Sequence, residues 1–97
     1  TNYHFNKKRT KKLRLEYWKE MGTFLKEKRI EADLTQKQVA DMLNIKVSQE
    51  ICNIELGACA PPISVMKSMI SLYKIQKEEV IDVMEKWNTL FLESELD

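Results

Sequence analysis

The chain has 97 residues, 43% of them hydrophobic, with two glycines and two prolines, which bounds it to one helix-rich domain with a core of about five helices. No run of about eighteen uncharged apolar residues is available to cross a membrane, and the basic start leads into charged residues instead of a signal-peptide apolar run, so a cytoplasmic protein is expected. One histidine and two cysteines, with no carboxylate cluster, exclude an ordinary zinc site and a disulfide scaffold.

The net charge of +1 hides a polarity. Lys7, Lys8, Arg9, Lys11, Lys12 and Arg14 precede any acid and give residues 1–14 a charge of +6. This stretch is expected to be a flexible basic arm ahead of a domain over 15–97. Such an arm suits phosphate contact; a solvated tail, or one pinned by Tyr3 and Phe5, is the other reading. Trp18, Met21, Leu25 and Arg29 recur at helical spacing and predict a first helix from about Glu16 to Ala32. Thr35 can cap a second helix, whose Val39, Ala40 and Leu43 face inward. A turn over Asn44-Ile45-Lys46-Val47 leads to a third helix, opened by Ser48 and closed by Gly57, with Ile51 and Ile54 on one face and polar residues on the other. Ala58 to Pro62 form a loop. The fourth helix is expected from Ile63 to Tyr73, with Ile63, Met66, Met69, Ile70 and Tyr73 inward. A break at Lys74-Ile75-Gln76 precedes a fifth helix from about Lys77 to Leu92, where Glu78 and Glu79 favour the N-terminal end of the dipole. Residues 77–97 carry a charge of −5.

Two short helices across a tight turn, the second rich in hydrogen-bonding side chains, form an arrangement that reads the major groove of DNA. Lys28-Arg29-Ile30, Leu34-Thr35-Gln36, Val39-Ala40, Ser48-Gln49-Glu50-Ile51, Ile54-Glu55-Leu56-Gly57 and Pro61-Pro62-Ile63 follow in an order that resembles the Cro/C1-type (XRE-like) helix-turn-helix family, over roughly residues 21–83. The resemblance implies an all-α, compact five-helix bundle of the lambda-repressor-like helix-turn-helix type. Where that family usually ends its first two helices with glycine, this chain has Asp33 and Asn44. Aspartate tolerates the left-handed conformation less well, and asparagine is the next best after glycine. The turn before the third helix is one residue longer than the commonest family version.

The resemblance also implies roles. Arg29 pairs with Glu55 in a bidentate, structural ion pair that fixes the third helix against the first. Gln36, with Thr35 and Lys37 at the start of the second helix, contacts a DNA phosphate beside free backbone amides, and Lys46 in the turn does the same. Gln49 and Asn53 lie four residues apart on one face, and each carries a donor and an acceptor matching adenine N6 and N7. Ser48 and Glu50 complete the base-reading set, Glu50 as an acceptor for cytosine N4.

Glu50 also repels phosphates, and the loop Ala58-Cys59-Ala60 lacks the basic residues that many family members carry there. A protein-interaction module, antitoxin-like or polymerase-associated and acting through the C-terminal helix, is therefore the alternative function; a nonspecific binder driven by the arm is a third. Val80, Met84 and Trp87 are expected to close the core. Trp87, Leu90, Phe91 and Leu92 form the candidate interface of a twofold dimer, which would set two reading helices about 34 Å apart. The competing arrangement folds Trp87 and Phe91 back onto the first helix near Tyr17 and Trp18. Cys52 and Cys59 read as small packing residues. With no nucleophile–base pair, metal cluster or glycine-rich phosphate loop, no enzyme activity, cofactor or metal is expected. The expectation is a nucleoid-associated transcriptional regulator, repressor-like, bound to double-stranded DNA as a homodimer.

Overall fold

The structure, a computed structural model, describes residues 7–96, with side chains from residue 11 onward. It is all-helical: α1 (Lys7–Glu31), α2 (Gln36–Met42), α3 (Gln49–Leu56), α4 (Ile63–Leu72) and α5 (Lys77–Leu96). None of these helices is long and apolar enough to cross a membrane.

The expected flexible arm is corrected by the length of α1. Residues 7–14 are its first two turns and not a loose segment. Lysine, arginine and leucine are good helix formers, neither glycine nor proline interrupts them, and extending an existing helix needs no new nucleus. Lys11, Lys12 and Arg14 are exposed along this rod. The side chains of Lys7, Lys8 and Arg9, and the pinning role given to Tyr3 and Phe5, lie outside the described residues. α5 likewise continues past its expected end at Leu92, to Leu96.

α1 packs against both α3 and α5, and α2 packs on α3. Met21 and Leu25 of α1 meet Val39, Ile51 and Met69 in the core, all of them almost fully buried. Each such side chain contributes about 1.5–3 kcal/mol on leaving water. Two residues expected inside are not. Ile63 is 65% exposed, because it is the first residue of α4 and precedes the turn that reaches the core. Met84 also stays exposed, and Trp87 takes the inward position one turn later.

The first four helices end in the same way. Asp33, Asn44, Gly57 and Lys74 all adopt the left-handed conformation, at φ 60, 61, 75 and 56. In each case the following residue sends its amide back five positions: Leu34 to Arg29, Ile45 to Ala40, Ala58 to Asn53 and Ile75 to Ile70. This closes the last carbonyls of each helix; after three of the caps Leu34, Ile45 and Ile75 pack in or against the core, while Ala58 after the cap of α3 stays exposed. The expectations for Asp33, Asn44 and Gly57 hold; Lys74 is an addition. Gly22 answers a different need. A Cβ there would lie 2.5 Å from the carbonyl oxygens of Ile54 and Glu55, so α1 and α3 touch backbone to backbone.

Candidate nucleic-acid interface

Arg29 projects from α1 and Glu55 from α3, and their side chains are 10% and 2% exposed. Arg29 Nε donates to Glu55 Oε2 at 2.7 Å and Nη2 donates to Oε1 at 3.1 Å. Nη1 donates to the Leu34 carbonyl at 2.7 Å, which also ties down the end of α1. The bond to Glu55 raises the guanidinium pKa, against the opposing effect of burial.

Gln36 joins this pair. Its Nε2 donates one hydrogen to Glu55 Oε1 at 2.9 Å, a structural bond that the sequence did not flag beside the phosphate contact expected of it. A buried carboxylate needs its lone pairs filled, and Gln36 is the nearest amide on α2, so α1, α2 and α3 are locked through one side chain. Tyr73 packs beside the pair, where burial pushes its hydroxyl up to about 12. That hydroxyl has no hydrogen-bond partner among the described residues.

Thr35 caps α2 as expected, with a partner the sequence did not flag. Its hydroxyl accepts from the Gln38 amide at 3.0 Å, and Gln38 Oε1 accepts from the Thr35 amide at 2.8 Å. This is a reciprocal capping box with glutamine in the third position. Thr35, Lys37 and Lys46 are all exposed.

Ser48, Gln49 and Glu50 are exposed at the start of α3, and Asn53 is half-buried one turn on. Gln49 Nε2 donates to Asn53 Oδ1 at 2.9 Å. The bond leaves the Gln49 carbonyl oxygen as an acceptor and the Asn53 amide as a donor. An acceptor and a donor are the group types that adenine N6 and N7 require. The Ser48 hydroxyl makes no cap bond and remains available.

Beside α3 lies a cleft of about 370 Å³ lined by Lys19, Thr23 and Lys26 of α1 together with Gln36, Cys52, Glu55 and Leu56. Lys19 and Lys26 have no carboxylate partner among the described residues. Sequence reasoning missed them, although with Thr23 they recur at helical spacing on one face. Cys52 and Cys59 are free thiols, and no group of metal-ligating side chains occurs among the described residues.

The candidate dimer interface is corrected in part. Trp87 is only 7% exposed, and its indole Nε1 donates to Glu20 Oε2 at 2.6 Å. Lys86 Nζ donates to the other oxygen of Glu20 at 2.7 Å. The Tyr17 ring stands 6.0 Å from Trp87 and meets Phe91 edge-on at 6.4 Å. Trp87 and Phe91 therefore dock α5 onto α1, a better use of large aromatic area than waiting for a partner. Leu90 is half-buried, and Leu92 alone of the four stays exposed. The hydrogen bonds from Lys86 and then Trp87 hold the Glu20 carboxyl below its ordinary value.

The chain matches no family model, no curated protein and no solved structure.

Proposed function

We propose that this chain is a sequence-specific DNA-binding transcriptional regulator of the Cro/C1 kind, in which α2, the turn over residues 43–48 and α3 act as the helix-turn-helix. The Gln49–Asn53 couple on the outer face of α3 carries the reading. It stands on a helix that Arg29 and Glu55 hold rigidly against α1, and positional rigidity is what base readout needs. In this reading α3 enters the major groove, Gln49, Asn53, Ser48 and Glu50 face base edges, and Thr35, Lys37 and Lys46 face phosphates. Two copies occupy a pseudo-palindromic operator and act by blocking or recruiting polymerase.

One observation favours a second reading. Glu50 shares the exposed surface of α3 with Leu56, and Val47 is exposed just before it. An acidic and apolar surface suits a protein partner better than a phosphate backbone.

Selection from a random duplex pool at near-physiological salt separates the readings. The wild type is expected to enrich a motif with two half-sites, and a Gln49→Ala/Asn53→Ala variant to degrade it. A pool that stays random while DNA still shifts would overturn base readout and assign binding to the basic turns of α1. Absence of any shift would leave the protein-partner reading.

A further inference from the structure

A cavity of about 430 Å³ opens between α1 and α5, lined by Tyr17, Met84, Glu85, Trp87, Asn88 and Phe91. It shares no residue with the cleft beside α3, and its volume falls in the range of small-molecule sites. Three of its walls are aromatic. The Tyr17 ring is inclined at 46° to that of Trp87, and stands at 88° to that of Phe91. Rings set at such angles bound a volume from different directions, where parallel rings would stack shut on each other. Trp87 is held in place from behind, since its Nε1 is committed to Glu20 at 2.6 Å. A wall fixed before a ligand arrives costs less to use.

The faces of these rings carry the negative part of the quadrupole and attract cations. Lys86 already shows this, with Nζ 5.5 Å from the Trp87 centroid. It does not line the cavity: it lies on the opposite edge of α5 from Met84 and Asn88, about 160° around the helix. Its charge is also taken, by Glu20 at 2.7 Å. The cavity's own charge is therefore one-sided. No lysine or arginine lines it. Glu85 is exposed there, without a cationic partner among the described residues. Glu78 and Asp82 are exposed on the same face of α5, two turns and one turn earlier.

We propose that this cavity binds a small organic cation, an alkylated ammonium free in solution. Its charged head lies among Tyr17, Trp87 and Phe91, with Glu85 as the counter-charge. Hydrogen bonding selects the alkylated head. A primary ammonium carries three donors that have to find acceptors when water leaves, and aromatic walls present π faces in their place. A head with methyl groups in place of those donors loses nothing there and gains apolar contact, Met84 included.

The cavity involves neither α3 nor DNA, so its test and that of the DNA reading fail separately. Choline chloride is titrated into the isotope-labelled protein at constant ionic strength, with the indole N–H resonance of Trp87 as the probe and the amides of α3 as the control. The Trp87 resonance should shift saturably. The neutral isostere of choline, with a quaternary carbon in place of the nitrogen, should bind about tenfold more weakly. Glu85→Gln, at an exposed position, should leave helical circular dichroism unchanged. It should weaken choline about two- to fivefold and the isostere not at all. Absence of a saturable shift at Trp87, or a shift confined to α3, overturns the site. Equal affinity for choline and its isostere overturns the choice of a cation. Unchanged choline affinity in Glu85→Gln overturns the counter-charge.

Discussion

Glu55 accepts three N–H bonds, two from Arg29 and one from Gln36. Removing it leaves a guanidinium almost without water and without its counter-charge. Glu55→Ala is expected to lose about 3–5 kcal/mol, measured by urea denaturation. Replacing both Arg29 and Glu55 by leucine should recover most of that loss, because the cost lies in a stranded charge more than in a lost attraction. Tyr73 poses the opposite case. Its buried hydroxyl has no protein acceptor or donor among the described residues, and an unpaired buried polar group costs about 1–3 kcal/mol. Tyr73→Phe should therefore leave stability equal or higher in the same assay. A loss above about 1 kcal/mol would mean that the hydroxyl is bonded.

Element boundaries here follow a simple rule: a polar or glycine residue in the left-handed region, then an apolar or small residue, which packs on the core at three of the four ends. Asp33-Leu34, Asn44-Ile45 and Gly57-Ala58 were legible as helix ends before any coordinates, because their residue types tolerate or favour that conformation. Lys74-Ile75 obeys the same rule, but lysine carries no such preference, so only the break was readable there. The Arg29–Glu55 pair was legible only through the family resemblance, which implied it. The bond from Gln36 to Glu55 was not, since it depends on how closely α2 approaches α3. Gly22 was silent for a related reason: a glycine inside a helical pattern does not announce which backbone comes up against it. Gly22→Ala should cost about 2–3 kcal/mol through forced separation of α1 and α3, read as a fall in the urea midpoint with the slope unchanged.

The docking of α5 on α1 has its own chemical signature. The folded state depresses the Glu20 carboxyl below its ordinary value of 4.5. The stabilisation is therefore fully present above that value and is lost as pH falls through the lower folded value. Glu79, bonded by Lys28 across the same pair of helices, shifts in the same direction. Thermal melts from neutral pH down to about pH 3 should show wild type losing stability below the usual carboxylate range. Glu20→Gln should start lower at neutral pH and decline less steeply. Parallel declines would separate Glu20 from the acid response.

At the scale of the whole molecule, charge is segregated along the chain, and the cleft beside α3 adds Lys19 and Lys26 to the basic side. If these lysines follow the DNA backbone, each neutralised phosphate contributes about 0.9 to the slope of log K against log salt. Lys19→Gln/Lys26→Gln should reduce that slope by about two, in fluorescence anisotropy titrations, while the selected motif stays the same. A changed motif would mean that the pair acts on the geometry of α3.

α1 is a single rod that carries α3 on one part of its surface and α5 on another. α3 and α5 therefore share one continuous helical support. If two copies bind one operator as proposed and meet through α5, α1 is a ruler: it fixes the distance and the angle between the two copies of α3 before any DNA is met. Adding one base pair between half-sites shifts the second by about 3.4 Å and turns it by roughly a tenth of a revolution. A jointed protein would absorb that error, whereas here the duplex has to twist to accommodate it. Operator spacing should therefore be policed by the stiffness of the nucleic acid, so that tolerance for a wrong spacer depends on the deformability of base pairs the protein never touches.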